Sequence, residues 1–245
     1  MKILSLIPAR GGSKSIYKKN IRMLGGKPLI QYSIEVSLTS PLIERTIVST
    51  DDQEIAEIAR ACGAEVPFMR PNEFAQDTSP DKPVFVHALE WLLVHESYEP
   101  DFVLHLRPTT PFRSTMDIEN VLNLWKETGC DAIRSVSLVD GISHPYHAYV
   151  ENMNGYGEPF INDKALQKEF FRRQDLPPVY KAHGLVDGYT PRAIFESDDM
   201  LGEKLKLYIV DDAIDIDSIN DFEYAEYLLQ RGKVRMCSSI EQPKC

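Results

Sequence analysis

Residues 2–20 read KILSLIPARGGSKSIYKKN, an apolar run that passes directly into a loop rich in glycine and cations. The apolar run Lys2–Ile7 predicts a strand that is buried on both faces. In the loop Pro8–Asn20, Gly11 and Gly12 let the backbone turn tightly and present its N–H groups to an anion. The loop also carries four cations in an otherwise acidic chain, Arg10, Lys14, Lys18 and Lys19.

This loop matches neither of the two common phosphate-binding patterns. It lacks the Gly-x-x-x-x-Gly-Lys-Ser/Thr pattern of a Walker A loop and the Gly-x-Gly-x-x-Gly pattern of a dinucleotide turn. A loop of glycines and cations at the end of a buried strand nevertheless suits a triphosphate, which is our interpretation. The alternative is a solvated basic loop without a ligand.

The overall charge excludes several classes of partner. The 245 residues carry 27 Lys and Arg against 37 Asp and Glu, a formal net charge of −10. Because an acidic surface repels nucleic acid, we expect no nucleic-acid partner. No apolar run reaches the roughly 18–20 residues that span a bilayer, so we expect no membrane partner either. The scattered cysteines predict neither a zinc site nor a disulfide framework, and together these features predict a cytoplasmic protein.

Strand-like and helix-like segments alternate along the chain. The predicted strands are Lys2–Ile7, Arg45–Ser49, Glu65–Phe68, Phe102–Leu106, Ala132–Val136, Gly184–Tyr189 and Leu205–Val210. The predicted helices are Pro28–Ser37, Asp52–Cys62 with Asp51 as N-cap, Lys82–His95, Met116–Lys126 and Ile219–Arg231. This alternation predicts an α/β fold with a mostly parallel sheet and helices on both faces. Ligands bind such sheets at the carboxyl ends of the strands.

The alternation stops for one stretch in the second half of the chain. Residues 137–183 contain several prolines and glycines and only short strand-like pieces. We therefore predict a nucleotide-binding catalytic domain over 1–136 and 184–232, interrupted by an inserted segment over 137–183 that covers the substrate or forms a dimer. Residues 233–245 form a C-terminal tail.

Two aspartates near the C-terminus are candidate metal ligands. Asp215 and Asp217 stand two residues apart after the predicted strand Leu205–Val210, and this spacing on an extended segment points both side chains the same way. A cation would neutralise two such carboxylates, and their hard oxygens suit Mg²⁺. The alternative is an acidic turn in which Asp217 or Ser218 caps the last helix. A nearby triphosphate favours the metal, because Mg²⁺ commonly bridges carboxylates and phosphates.

Two further loops follow predicted strands and are weaker candidates. The loop after Leu106 reads RPTTPFR and presents Arg107, Thr109 and Thr110 as possible donors to a substrate. The segment MRPNEFAQDT contains Arg70 and Asp77. Each loop alone is equally consistent with a structural turn.

Taken in order, IPARGGSKSIYKKNI, IVSTDD, MRPNEFAQDT, RPTTPFR and DIDSINDFEYAE resemble the acylneuraminate cytidylyltransferase family. The resemblance extends from Lys2 to about Leu229. It implies a Rossmann-like nucleotide-sugar transferase sheet, a homodimer, and a reaction in which CTP and a 2-keto sugar acid give a CMP-sugar and pyrophosphate with Mg²⁺.

The resemblance also implies roles for individual residues. The nucleotide-binding residues would be Ala9, Arg10, Gly11, Gly12, Ser13, Lys14, Asn20, Arg70 and Asp77. Lys19 would join Arg10 and Lys14 at the triphosphate, and Asp215 and Asp217 would hold Mg²⁺; these five residues are the expected catalytic set. The residues facing the sugar acid would be Arg107, Thr109, Thr110, His147, Arg173 and Asp187.

The departures from the family pattern lie mainly on the sugar side. Arg107 stands where Gln is common, His147 aligns with a lysine, and residues 183–187 read HGLVD where sialic acid enzymes often read Asn-Gly-Ala-x-Tyr. We therefore expect a sugar other than N-acetylneuraminate, such as legionaminic or pseudaminic acid. The alternatives are a sugar-1-phosphate nucleotidyltransferase, a 3-deoxy-octulosonate cytidylyltransferase and a nucleotide-binding module without activity.

Overall fold

The computed structural model describes residues 1–139, 141–161, 176–211 and 213–234. The β-strands in these residues are β1 Ile3–Pro8, β2 Met23–Leu24, β3 Lys27–Pro28, β4 Arg45–Ser49, β5 Phe102–His105, β6 Ala132–Leu138, β7 Tyr149–Glu151, β8 Gly157–Pro159, β9 Tyr180–Ala182, β10 Asp187–Tyr189 and β11 Leu205–Ile209. The α-helices are α1 Leu29–Thr39, α2 Gln53–Ala61, α3 Asp81–Glu96, α4 Thr115–Thr128, α5 Pro191–Glu196 and α6 Ile219–Gln230. No helix in these residues is long and apolar enough to cross a membrane.

The main sheet is mostly parallel. Its strands run in the order β11–β6–β10–β5–β1–β4, and β9 pairs with β6 beside this path. β1 is parallel to β4 and β5, and β11 is parallel to β6, whereas β10 is antiparallel to both of its neighbours. The carboxyl ends of the parallel strands therefore lie at one edge of the sheet, together with the beginning of β10.

Helices cover both faces of the sheet, as the alternating sequence pattern predicts. On one face, Ile7 and Leu104 pack in one apolar cluster with Ile34 of α1 and Val121 of α4. On the other face, Leu6, Val103 and Tyr189 pack with Phe85 of α3 and Ile194 of α5. The fold is thus an α/β fold with a doubly covered, mostly parallel sheet.

Two predicted strands differ from the structure, and one short helix was not predicted. Within 65–68 only Glu65 forms a bridge, to Ile47, because Pro67 has no N–H to continue a ladder. Of the predicted strand 184–189 only Asp187–Tyr189 pairs, and it runs antiparallel. The helix Pro191–Glu196, which begins after the capping residue Thr190, was not predicted.

The predicted insertion 137–183 contains two kinds of structure in its described residues. β7 and β8 form a separate antiparallel hairpin. β9 instead pairs with the last residues of β6. It follows β10 along the same flank of β6, because β11 occupies the other flank, where Ile209 pairs with Val136. The end of β6 and β9 together extend the main sheet beyond its carboxyl edge.

A buried guanidinium joins three segments at this edge. Arg113 is 2% exposed. It donates to the carbonyl of Leu185 at 2.6 Å, to the hydroxyl of Ser33 at 2.6 Å and to the carbonyl of Arg107 at 2.7 Å. These bonds connect the start of α4 with α1, with the end of β5 and with the segment before β10.

We expect Arg113→Met to lower the free energy of unfolding by about 3 kcal/mol, because three acceptors each lose a buried donor at about 1 kcal/mol apiece. Urea titration followed by circular dichroism measures the change. Arg192→Met is the matched control, because Arg192 is 63% exposed and its described ion pairs, with Asp131 at 3.9 Å and Glu196 at 3.5 Å, are long. Equal stability of the two variants would contradict the role given to Arg113.

Candidate active site

A cleft of about 530 Å³ opens at the carboxyl edge of the sheet. It brings together residues from the loops after β1, β5 and β11 and from the segment that leads into α3, which are far apart in the chain. The predicted site residues that line it are Arg10, Ser13, Lys14, Lys19, Asn20, Arg70, Asp77, Arg107, Thr109 and Asp217.

The glycine loop is shaped by the two acids after β4. The N–H of Gly11 donates to the Asp51 carboxylate at 3.0 Å, and a Cβ at Gly11 would lie 2.6 Å from the Asp52 carboxylate. Only glycine fits this close approach. Asp52, not the predicted Asp51, caps α2 by accepting from the N–H of Ile55 at 3.0 Å. Asp51 is thus the residue that holds the loop.

The neighbouring backbone places the loop against β4. Ala9 is buried, and its N–H donates to the carbonyl of Ser49 at 2.9 Å. A Cβ at Gly12 would meet nothing within 4 Å, so this position is open. The side-chain amide of Asn20 donates to the carbonyl of Arg10 at 2.9 Å and thereby links the two ends of the loop.

An acid pairs with the cations of the loop. The Asp77 carboxylate lies 3.0 Å from the guanidinium of Arg10 and forms an ion pair with Lys14. The hydrogen bond from Lys14, together with the charge of Arg10, lowers the pKa of Asp77. The loop therefore already binds an anionic group, and a triphosphate must compete with this carboxylate for the same cations.

Lys19 joins the loop to the aspartate pair. Its ammonium donates to the carbonyl of Ile216 at 2.9 Å and to the Asp217 carboxylate at 3.3 Å. Ser218, not Asp217, caps α6, in a capping box with Asp221. The Asp217 side chain, 77% exposed, is therefore available at the cleft rather than committed to the helix terminus.

Asp215 is the less exposed member of the pair, and it is half-buried. Burial raises the pKa of Asp215, a hydrogen bond with Thr109 opposes that rise, and the charge of Asp217 adds to it. Its buried Oδ1 makes no hydrogen bond with the described residues. No group of three or more metal-ligating side chains occurs in the described residues. Two carboxylates suit Mg²⁺, which commonly completes its shell with water and substrate phosphates.

Arg70 forms the wall of the cleft next to β4. It is 5% exposed, and its guanidinium donates to the hydroxyl of Ser49 at 3.1 Å and to the carbonyl of the same residue. Burial lowers the pKa of Arg70 to about 10. Its backbone N–H donates to the carbonyl of Thr50 at 2.7 Å, which holds the 68–81 segment against the sheet.

Arg107 is the cation on the opposite side of the cleft. It lies 3.0 Å from the Asp81 carboxylate at the start of α3 and 3.8 Å from the Asp187 carboxylate. Asp187 is 1% exposed and does not itself line the cleft, whereas its partner Arg107 does. Thr110 is fully buried, and its hydroxyl donates to the carbonyl of His183 at 3.0 Å, so it holds the loop instead of lining the cleft.

The predicted sugar-side residue His147 does not line the cleft. His147 lies in a short 3-10 helix, Pro145–His147, with its ring exposed and 6.4 Å from that of His144. Arg173 lies outside the described residues. Both therefore stay predictions of the sequence.

Sequence reasoning missed His105. This residue ends β5, is fully buried, lines the cleft, and neither ring nitrogen makes a hydrogen bond with the described residues. Burial, with the charges of nearby arginines, holds the pKa of His105 well below its ordinary value. The sequence contained one signal for this residue, a histidine at the end of the otherwise apolar strand FVLH.

A glycine- and cation-containing loop in contact with a carboxylate, at the carboxyl edge of such a sheet, is typical of nucleotidyltransferases. A family model described as Cytidylyltransferase matches residues 4–236. The chain belongs to this cytidylyltransferase family.

Relatives of full length support this assignment. The chain is 33% identical to the CMP-N,N'-diacetyllegionaminic acid synthase of Legionella pneumophila over 235 residues, which cover 94% of this chain and 97% of that protein. It is 32% identical to a pseudaminic acid cytidylyltransferase of Campylobacter jejuni, over 93% of this chain and 96% of that protein. The solved structure of a CMP:2-keto-3-deoxy-manno-octonic acid synthetase, 18% identical, superposes with a TM-score of 0.70 over 95% of this chain and all of that one.

We expect Asp77→Asn to bind inorganic triphosphate several-fold more tightly than the unaltered protein, because the anion no longer competes with a carboxylate for Arg10 and Lys14. Isothermal titration calorimetry at low ionic strength measures the change. Asp101→Asn removes an equal charge at the opposite edge of the sheet and controls for net charge. Weaker binding by Asp77→Asn would instead make Asp77 part of the binding contact.

Proposed function

We propose that this protein transfers CMP from CTP to the anomeric hydroxyl of a sialic-acid-like nonulosonic acid and releases pyrophosphate. The observation that carries the proposal is the contact of Lys19 with Asp217, because both residues line the cleft that Arg10 and Lys14 also line. The names of the two full-length relatives, which make CMP-linked legionaminic acid and transfer cytidylyl to pseudaminic acid, support the same reaction.

The cleft divides between the two substrates. Arg10, Lys14 and Lys19 would neutralise the triphosphate on one side, and Arg107 would orient the sugar acid on the other. The hydroxyl attacks the α-phosphorus in line with the departing pyrophosphate, so the protein contributes mainly position and charge. No protein general base is assigned.

Mg²⁺ belongs to the proposal. The unpaired Oδ1 of Asp215 and the available carboxylate of Asp217 are the groups that would hold it. When bound there, the ion supplies positive charge to the phosphates and lowers the pKa of a hydroxyl near it. Lys19, whose ammonium contacts Asp217, keeps that carboxylate directed to the cleft.

We expect Asp217→Ala to lower kcat by roughly 100-fold or more, because charge that develops at the phosphates loses its stabilisation. Pyrophosphate release, measured against magnesium concentration, gives the effect, and the melting temperature should stay unchanged because the side chain is exposed. Asp198→Ala, an exposed acid after α5, is the control. Magnesium-responsive turnover at the normal rate by Asp217→Ala would be incompatible with the metal assignment.

The sugar is proposed to be legionaminic acid, pseudaminic acid or a similar acid rather than N-acetylneuraminate. Support comes from Arg107 on the sugar side, in place of the Gln that is common in the family, and from the two relatives. Pyrophosphate release from CTP with a panel of these acids and 3-deoxy-octulosonate tests the proposal. Preference for N-acetylneuraminate would sink the sugar assignment, and no release with any acid would sink the proposed reaction.

A homodimer is proposed as the working assembly. Leu205, Leu207 and Ile209 are 40%, 39% and 55% exposed on one face of the edge strand β11, and Tyr149 and Phe160 are also exposed. An exposed apolar area of this kind commonly marks an interface. Location in the cytoplasm and the lack of nucleic-acid and membrane partners stay predictions from charge and sequence.

We expect Leu207→Asp to shift the protein from dimer to monomer in sedimentation velocity at micromolar concentration, because a charge would be buried at the interface. Leu93→Asp, at a 45% exposed position on α3, should leave the dimer intact. A monomeric unaltered protein at the same concentration would contradict the proposed assembly.

A further inference from the structure

Three polar side chains form one row across the middle of the sheet. Asp187 on β10 pairs in register with His105 on β5, and the register of β10 with β6 places Arg134 opposite Asp187. The row therefore begins at the cleft, where His105 and Arg107 lie, and extends by two strands, β10 and β6, toward β11.

Asp187 is the anchor of this row. Its Oδ1 accepts from the N–H of Ser135 at 3.0 Å and from the Ser135 hydroxyl at 3.1 Å. Its Oδ2 lies 3.8 Å from the guanidinium of Arg107 and 4.0 Å from that of Arg134. A single buried oxygen thus faces two guanidinium groups.

The two arginines remain reachable at their outer ends. The side chain of Asp187 is 1% exposed, whereas those of Arg107 and Arg134 are 29% and 34% exposed. The buried Nε of Arg134 makes no hydrogen bond with the described residues. Within the row, two guanidinium charges face the single charge of Asp187, so a carboxylate on their outer side would be stabilised.

The structure already contains a carboxylate on one of these arginines. The Oδ2 of Asp81 lies 3.0 Å from the guanidinium of Arg107. The outer side of Arg107 therefore accepts a carboxylate, as Arg10 and Lys14 accept that of Asp77 on the triphosphate side. The segment 72–81 thus supplies two acids: Asp77 pairs with Arg10 and Lys14, and Asp81 pairs with Arg107.

We propose that Arg107 and Arg134, held in place by Asp187, bind the carboxylate of the sugar acid, and that Arg134 sets the preference for an acid over a neutral sugar. The planar fork of a guanidinium matches a carboxylate, and the row lies at β5, β10 and β6, away from the phosphate loop after β1. The inference rests on the proposed function for the identity of the anion.

His105 adds no charge to this site. Burial, with the charges of the nearby arginines, keeps its pKa well below the ordinary value, which favours the neutral ring. The positive charge at this site is therefore assigned to Arg107, just after β5, and to Arg134 on β6. Removing Arg134 should leave the CTP side unchanged, because its described ion-pair partner, Asp187, lies outside the phosphate loop.

The test compares an acid with its uncharged analogue. The probes are legionaminic acid and its carboxamide, titrated by calorimetry into protein saturated with CDP and Mg²⁺. We expect the unaltered protein to bind the acid at least about tenfold more tightly, as a charge-assisted pair allows. Arg134→Gln should reduce this preference to about twofold, and Arg134→Lys should keep more of it, while the KM for CTP stays within about twofold.

The control is an arginine in a similar environment far from the cleft. Arg45 is 15% exposed and pairs with Glu65 and Glu96 at the opposite edge of the sheet, so Arg45→Gln should keep the full preference. An unchanged preference in Arg134→Gln, or equal losses for acid and carboxamide, would overturn the inference. So would equal binding of both probes by the unaltered protein.

Turnover measured in parallel separates this inference from the proposed function. If CTP and legionaminic acid release pyrophosphate but Arg134→Gln keeps the preference for the acid over the carboxamide, the reaction stands and the arginine site is rejected. A preference for the acid that Arg134→Gln removes, without any pyrophosphate release, would support the site and reject the reaction.

Discussion

The cleft depends on the three hydrogen bonds of one buried guanidinium. Arg113 donates to the carbonyls of Arg107 and Leu185 and to the hydroxyl of Ser33. These bonds fix the backbone of the residue that faces the substrate side of the cleft and of the segment that leads into β10. A buried charge without acceptors is costly, so the three segments must come together for the charge to be tolerated at all. The position of Arg107 is a consequence of that requirement.

The sequence predicted the parts of the fold that follow from local patterns. β1, β4 and β5 are short apolar runs that end in loops, and α2, α4 and α6 carry their own capping residues. The antiparallel direction of β10 was not predictable, because three residues contain no signal of direction. Its pairing is decided by β5 and β6, which lie more than 50 residues earlier in the chain. Likewise, the composition of residues 65–68 favours a strand, but Pro67 ends it because proline has no N–H to pair.

For the candidate site, too, local sequence patterns predicted single segments but not the contacts between distant segments. Glycines and lysines close together in sequence predicted the cation loop, and spacing predicted the aspartate pair. Contacts between distant segments were invisible: Asp51 on Gly11, Asp77 on Arg10 and Asp187 on Arg107 each join separate loops. Such contacts depend on which strand ends lie side by side, so the sheet order must be known first. Thr110 shows the converse, because a polar residue in a promising loop serves the loop itself.

The place of β10 has a consequence for the order in which the protein folds during synthesis. β5 and β6 are not neighbours, and the strand between them is made about 50 residues after β6. Until that strand leaves the ribosome, the first half of the sheet has an open edge at β5, and β6 has no place to dock. Unpaired edges of this kind are prone to associate with other chains. The edge of β5 therefore stays unpaired in the nascent chain until Asp187–Tyr189 has been translated.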